Sequence, residues 1–297
     1  MSYLTQWHFD PFVVLVTIVV VWHEAGLHRL ASRSVAAHAA RRRQRSFAFY
    51  GGLAVLLVSV ASPLDYWGYK YFFVHMIQHV LIMFFAPGLV VIGAPWLPLV
   101  HALPVGIRRR VGRALYLGRW SGQLRTLVRL ATGGGFAVIA FSAVMVFWHL
   151  PAPLDFSDTS RFAHVWLMHG SFFVAGVLFW AQIIPSYPLR PRLSPIGRIG
   201  ALFSANVVMF VLAVALGVMS NHSWYSVYDH VRGVRLSVFA DQQIGAGILW
   251  VCGDFWALPS LIWVVRRAIA DEGSPGALFD RVLRTEVFSS AQEIPPG

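Results

Sequence analysis

The sequence predicts an all-α fold: a polytopic membrane bundle of seven transmembrane helices, with the N-terminus outside and the C-terminus cytoplasmic. Three observations carry that prediction. Of 297 residues, 57% are hydrophobic and only 12% charged, with a mean hydropathy of +0.61; a soluble domain normally carries about 25% charged residues. Seven apolar runs stand at 11–30, 47–61, 71–93, 132–149, 161–184, 200–219 and 241–265, close to the length of about 20 residues that spans a bilayer. The basic residues, finally, collect in alternate loops.

The first run has Asp10 as its one upstream charge, and its basic residues follow the apolar core. That order is the reverse of a cleaved signal peptide, so the run is expected to stay as a helix. The second run is short and is expected to extend at one end. The third, "YFFVHMIQHVLIMFFAPGLVVIGAP", carries histidines, methionines and a glutamine. The fourth closes in "FWHLPAP", and the fifth re-enters after that short loop. The sixth precedes His222, and the seventh opens on Asp241, Gln242 and Gln243. Residues 1–270 thus read as one transmembrane domain and 271–297 as a polar cytoplasmic tail. The arginine-rich loop at 96–130 is expected to hold an amphipathic helix on the cytoplasmic surface, drawn there by anionic lipid.

The net charge of +11 is a topology signal. Of 24 Lys and Arg residues, 20 lie in the loops at 29–45, 108–129 and 190–198 or after the last run; the alternate loops hold only Lys70, Arg161, Arg232 and Arg235. Such a bias orients a membrane protein with its basic loops in the cytoplasm. Nucleic acid is therefore not an expected partner, whereas membrane lipid is. The lone Cys252 excludes an intramolecular disulfide. The chain has no P-loop, no Gly-x-Ser-x-Gly elbow and no His-Glu-x-x-His. The nearest approach, "HEAGLH", sets His28 at i+5 from His23 and off a zinc-binding face. No enzymatic activity is expected.

With this topology, His75 and His79 lie in the outer half of the third helix and His149 at the outer end of the fourth. His164 and His169 fall in the first turns of the fifth, so several segments bring ligand-type side chains to one membrane level. His75, His79 and Met83 follow one another at intervals of four, with Met76 nearby, and these four share a helical face. Imidazole suits copper, zinc and iron, and thioether sulfur favours Cu(I). His164 and His169 stand about 140° apart on an ideal helix. They can serve one ion only if that helix is distorted or the site lies between them. Polar groups within a span are costly and usually functional, yet each histidine alone could simply hydrogen-bond a neighbouring helix. The methionines could be packing, and Asp241 a helix cap.

Several segments together resemble the seven-span CtaG-type cytochrome c oxidase assembly factors of bacteria, over nearly the whole chain. They are "SPLD" at 62–65, "HMIQHVLIMFFAPGLVVIGAP" at 75–95, "FWHLPAPLD" at 147–155, the His164 and His169 segment, and "DQQIGAGILW" at 241–250. The chain departs from that pattern at Gly88, Leu249 and "FWAQ" (179–182), which spares the histidines. The resemblance implies a role in maturing a haem–copper oxidase in the bacterial cytoplasmic membrane, by supplying or handling copper for its metal centres. Oxidase subunits and other copper chaperones would be its partners. On this reading Cu(I) is held by His75 and His79, completed by His149, His164 and His169, with Met76 and Met83 as soft ligands. Three alternatives stand beside it: b-type haem held by two histidines in an electron carrier, a copper transporter, and a metal-free scaffold.

Overall fold

A computed structural model of the chain describes residues 7, 11–32, 35–117, 121–229 and 236–272. The described residues are all-helical, without strands apart from an isolated bridge between Ser186 and Leu189. Seven long helices follow the apolar runs: α1 (Pro11–Ala31), α2 (Ala36–Ala61), α3 (Phe72–Gly93), α4 (Gly134–Trp148), α5 (Ala163–Ile183), α6 (Pro195–Gly217) and α7 (Val238–Glu272). Six are long and apolar enough to cross a membrane. The fourth qualifies when α4 is taken with the short helix Pro151–Ser157, to which it is bent by 78°.

The differences from the expected boundaries have local causes. α2 starts eleven residues before its apolar run because Ala, Arg and Gln at 36–45 are good helix formers. Ser194 sets the start of α6 earlier by accepting the Gly197 N–H at 3.0 Å, with Pro195 in the first turn. α4 stops at Trp148 because Pro151 follows closely and cannot continue a helix. In place of one amphipathic helix, the loop at 96–130 holds three: Trp96–His101, Val105–Leu117 and Ser121–Ala131. α7 runs through Glu272, and the expected tail beyond it lies outside the described residues.

α3 is the axis of the bundle and the most buried of the long helices, with α2, α5 and α7 packed around it. Close approach rests on small residues, as is usual between membrane helices. A Cβ on Gly176 of α5 would overlap the Met83 carbonyl oxygen and the Pro87 ring, and one on Gly52 of α2 would lie 2.8 Å from the Ala86 carbonyl oxygen. The outward faces carry Ile139, Phe203, Val211 and Phe255, each more than half exposed. That inside-out distribution suits a lipid environment.

Polar side chains at one end of the bundle set the position of α3. Asp241 is a cap, though of α3 and not of its own helix: its carboxylate accepts the Phe72 N–H at 2.7 Å and the Phe73 N–H at 2.9 Å. Gln242 accepts the Trp224 N–H and donates to the Leu216 carbonyl, tying α7 to the end of α6. Gln78 donates to the Ser59 carbonyl at 2.7 Å and to Asp65 at 3.3 Å. Asp65 in turn pairs with Arg161 at 2.8 Å. These contacts give "SPLD", the glutamine of "HMIQH" and "DQQ" structural roles. Asp241→Ala would strand two helix N–H groups of α3, at a cost of about 1–3 kcal/mol. Its unfolding midpoint in detergent is expected to fall, with Asp241→Asn, which keeps one acceptor oxygen, in between.

Candidate metal centre

Five histidines converge at the Asp241 end of the bundle. His75 and His79 come from the second and third turns of α3, His149 caps the C-terminus of α4, and His164 and His169 come from the first turns of α5. Each is no more than 2% exposed. The rings touch in a chain: His75 to His79 at 4.3 Å between centroids, His75 to His164 at 4.9 Å, His164 to His169 at 4.4 Å, His79 to His169 at 5.6 Å and His79 to His149 at 5.2 Å.

The distortion that His164 and His169 require is present. The segment Ala163–His169 is a π-helix, in which residues five apart occupy the positions that residues four apart hold in an α-helix. Both imidazoles therefore face α3. A second π turn, Leu81–Phe85, lies just before Pro87 in α3. Proline lacks an N–H to bond, and a local change of pitch re-satisfies the freed groups without breaking the helix.

Hydrogen bonding settles the tautomer of three rings. His149 Nδ1 lies 2.6 Å from the Met145 carbonyl, which can only accept, so that nitrogen carries the hydrogen. His164 Nδ1 lies 2.9 Å from the Asp158 carboxylate, likewise an acceptor. Tyr228 donates its hydroxyl to the Gly68 carbonyl at 3.2 Å and accepts from His75 Nδ1 at 2.8 Å. In all three the Nε2 lone pair remains, buried and without a partner. His79 and His169 have no partner at either nitrogen, so the five rings leave seven buried nitrogens unsatisfied. Each such group in an apolar interior costs about 1–3 kcal/mol; a bound cation would lift that penalty for the one lone pair on each ring, and the N–H groups of His79 and His169 would stay unpaired. Nδ1 held by a carboxylate or carbonyl, with Nε2 left free, is the arrangement that orients histidines toward metals.

The inner set is His75, His79 and His169, which can offer ligand atoms all within 4.8 Å of one another. Metal–nitrogen bonds of about 2.0–2.1 Å would hold three donors about 3.3–3.6 Å apart, so closing the set takes shifts of about an ångström. His149 and His164 stand on either side of it. Met76 and Met83 are fully buried in α3; the Met76 side chain packs against Gly245 of α7, and the Met83 carbonyl against Gly176 of α5. His222 is exposed and bonds Asn221, while His23 and Glu24 lie toward the other end of the bundle.

The surroundings close the cluster on two sides. Toward the middle of the bundle, Phe84, Phe141, Phe179 and Trp256 stack on one another at 4.3–6.0 Å, all buried. The only side-chain polar atom among the four residues of this aromatic floor is the Trp256 indole N–H, which is buried without a partner. At the other end, the segment at 224–229 is strapped over the rings. Tyr225 donates to the His149 carbonyl at 2.8 Å, Tyr228 bonds His75, and Ser226 donates to Asp155 at 2.7 Å. Tyr69 stacks on His164 at 4.5 Å, and Phe172 packs on His79 at 4.6 Å. Sequence reasoning passed over Asp158, Tyr228, Tyr69 and Phe172. Asp158 could have been found as the carboxylate just before His164; the others lie in loops or on an unremarkable apolar face. Burial pushes the Asp158 carboxyl above its ordinary value.

A helical bundle whose buried imidazoles converge with free Nε2 atoms defines a membrane protein with a candidate metal centre. The chain belongs to the cytochrome c oxidase caa3 assembly factor family, Caa3_CtaG, whose model matches residues 21–271. Similar proteins include uncharacterized proteins of Mycobacterium bovis and Mycobacterium tuberculosis, each 30% identical over 257 residues, or 83% of this chain and 37% of theirs. Another, from Mycobacterium leprae, is 25% identical over 272 residues, or 89% of this chain and 39% of its own. The chain thus spans less than two-fifths of the length of these relatives. No solved structure matches it.

Three variants test the geometry. Asp158→Asn, which weakens the hold on the His164 tautomer, is expected to lower metal affinity about 10–100-fold, read by competition with a chromophoric chelator. Deleting Leu167, an exposed residue between the two π-helical ligands, turns i, i+5 into i, i+4 and restores α-helix with both rings in place. Metal content of that deletion is expected to stay within about twofold of the unaltered chain. Inserting an alanine after Leu167 is expected to abolish it.

Proposed function

We propose that this protein takes up Cu(I) at the five-histidine cluster and passes it to the metal centres of a haem–copper oxidase in the bacterial cytoplasmic membrane. The observation that carries the proposal is the set of buried imidazoles presenting unshared Nε2 lone pairs to one another. Nitrogen donors of this kind suit copper, and membership of an oxidase assembly family supplies the client. His75, His79 and His169 form the core ligand set, His149 and His164 exchange ligands, and Met76 and Met83 are soft seconds. The basic-loop asymmetry supports an N-terminus outside and a cytoplasmic C-terminus, which puts the cluster at the outer leaflet. There it would receive copper from other chaperones and deliver it to oxidase subunits docked in the lipid.

Copper is the cargo here, and this chain's own part is to hold and release it. Two fixed tautomers on the flanks, His149 and His164, keep one lone pair each aimed at the core. Exchange of one imidazole at a time lets an ion move without entering water. The aromatic floor argues against a transport path through the bundle, since inward of Met83 it sets three phenylalanines and Trp256, none of which offers a lone pair on oxygen, nitrogen or sulfur to an ion. Five rings already in contact leave no space between them for a haem macrocycle, so an ion fits the site better.

The test is metal analysis on protein purified from its native membrane together with oxidase activity in the host. Stoichiometric copper with a featureless visible spectrum is expected. His79→Ala should lower bound copper at least about tenfold and reduce oxidase activity, while the protein remains in the membrane at its usual level. Full copper loading and normal oxidase in that variant would sink the assignment, as would a Soret band.

A further inference from the structure

At the end of the bundle opposite the histidine cluster, about 21 Å along α3 from His79 to Gly93, lies a cavity of about 390 Å³. Its walls include His23, His38, Arg41, Arg42, Arg45 and Ser46, and among the described residues no carboxylate lines it. Glu24, the nearest acid in sequence, is engaged by Arg43 at 2.5 Å and by the Tyr50 hydroxyl at 2.6 Å. Because Tyr50 spends its hydrogen on Glu24, its oxygen accepts from His23 Nδ1 at 2.8 Å. His23 is 1% exposed, and its Nε2 is left as a bare acceptor with no partner.

A second cleft, of about 420 Å³, adjoins this cavity. Ile92, Ile184, Pro259 and Trp263 line it, together with Arg45 and Arg267. Arg45 belongs to both walls, so one guanidinium stands where a basic, acid-free chamber meets an apolar one. Arg267 lies over the Trp263 ring at 5.6 Å, which orders the far wall. The two chambers together are amphiphilic in the sense of a lipid at the membrane boundary.

We propose that these adjoining cavities form a specific site for an anionic phospholipid whose headgroup carries a free hydroxyl, of the phosphatidylglycerol type. The phosphate sits against Arg41 and Arg45, as basic pockets between membrane helices recognise phosphate headgroups. The headgroup hydroxyl donates to His23 Nε2, the partner that this buried acceptor lacks. An acyl chain follows Ile92, Ile184 and Trp263. A zwitterionic lipid would bring an ammonium against the arginines, and phosphatidic acid has no headgroup hydroxyl to offer. The inference is independent of the metal reading, since the two sites share no residue.

Native mass spectrometry of the full chain, stripped of lipid and then offered lipids of matched acyl chains, tests it. Phosphatidylglycerol is expected to be retained at least about tenfold over phosphatidylcholine and more than phosphatidic acid. Arg41→Gln with Arg45→Gln, both exposed, should lower that retention about tenfold or more with copper content unchanged. His23→Phe should erase the preference for phosphatidylglycerol over phosphatidic acid. Should that variant fail to fold, the ratio of the two lipids on the unaltered chain decides the hydroxyl contact. Equal retention of phosphatidylcholine, undiminished retention by the double variant, or displacement of the lipid by an equal concentration of glycerol 3-phosphate would overturn the proposal, the last marking a site for soluble phosphate.

Discussion

A neutral imidazole has one donor and one acceptor, and in a dry interior neither can be left without a partner cheaply. This constraint governs the end of the bundle where the five histidines meet. α3 occupies the bundle axis, with one face presenting His75 and His79 to α4 and α5 while the rest packs on α2 and α7. The Asp241 carboxylate fixes the first turn of α3, and with it the height of His75 and His79. The Asp65–Arg161 pair fixes the entry to α5, and with it the height of His164. Met145, Asp158 and Tyr228 then take up one nitrogen each from three rings. What is left over is one lone pair on each of the five rings, together with the N–H groups of His79 and His169, buried and without a partner.

The helical fold was largely legible in the sequence, because hydropathy is summed over many residues. Seven runs became seven long helices, with ends moved by single capping residues such as Ser194 and Pro151. The convergence of His75, His79, His149, His164 and His169 was also legible, since topology alone put them at one level. The pairing of His164 with His169 was not, because an ideal helix separates them and a π turn leaves no compositional mark. Nor was the role of Asp241: carboxylates favour helix N-termini, but which helix they cap depends on packing that sequence periodicity does not encode. Gln78, read beside two histidines, turned out to hold Ser59 and Asp65.

The aromatic floor and the strap at 224–229 make the cluster a closed compartment with a wall on one side and a tied segment on the other. The floor is built from four residues of α3, α4, α5 and α7, so it moves only if the bundle does. The strap is held by side-chain hydrogen bonds of Tyr225, Ser226, Tyr228, Asp155 and Gln242 and by the stacking of Tyr225 on Phe72, each reversible at a modest cost. Access is therefore cheaper from the strapped side.

α7 is 35 residues long, a rise of about 52 Å, against a hydrocarbon thickness of about 30 Å. Even a tilt of 40°, the upper end of what membrane helices adopt, accommodates only about 39 Å of it. Some nine residues, or about 13 Å, must stand in the headgroups or in water. With Asp241 holding the other end at the level of the histidines, the overhang falls on the stretch from Arg266 onward. Being helical, that stretch acts as a stiff stalk that carries Arg266 and Arg267 clear of the hydrocarbon.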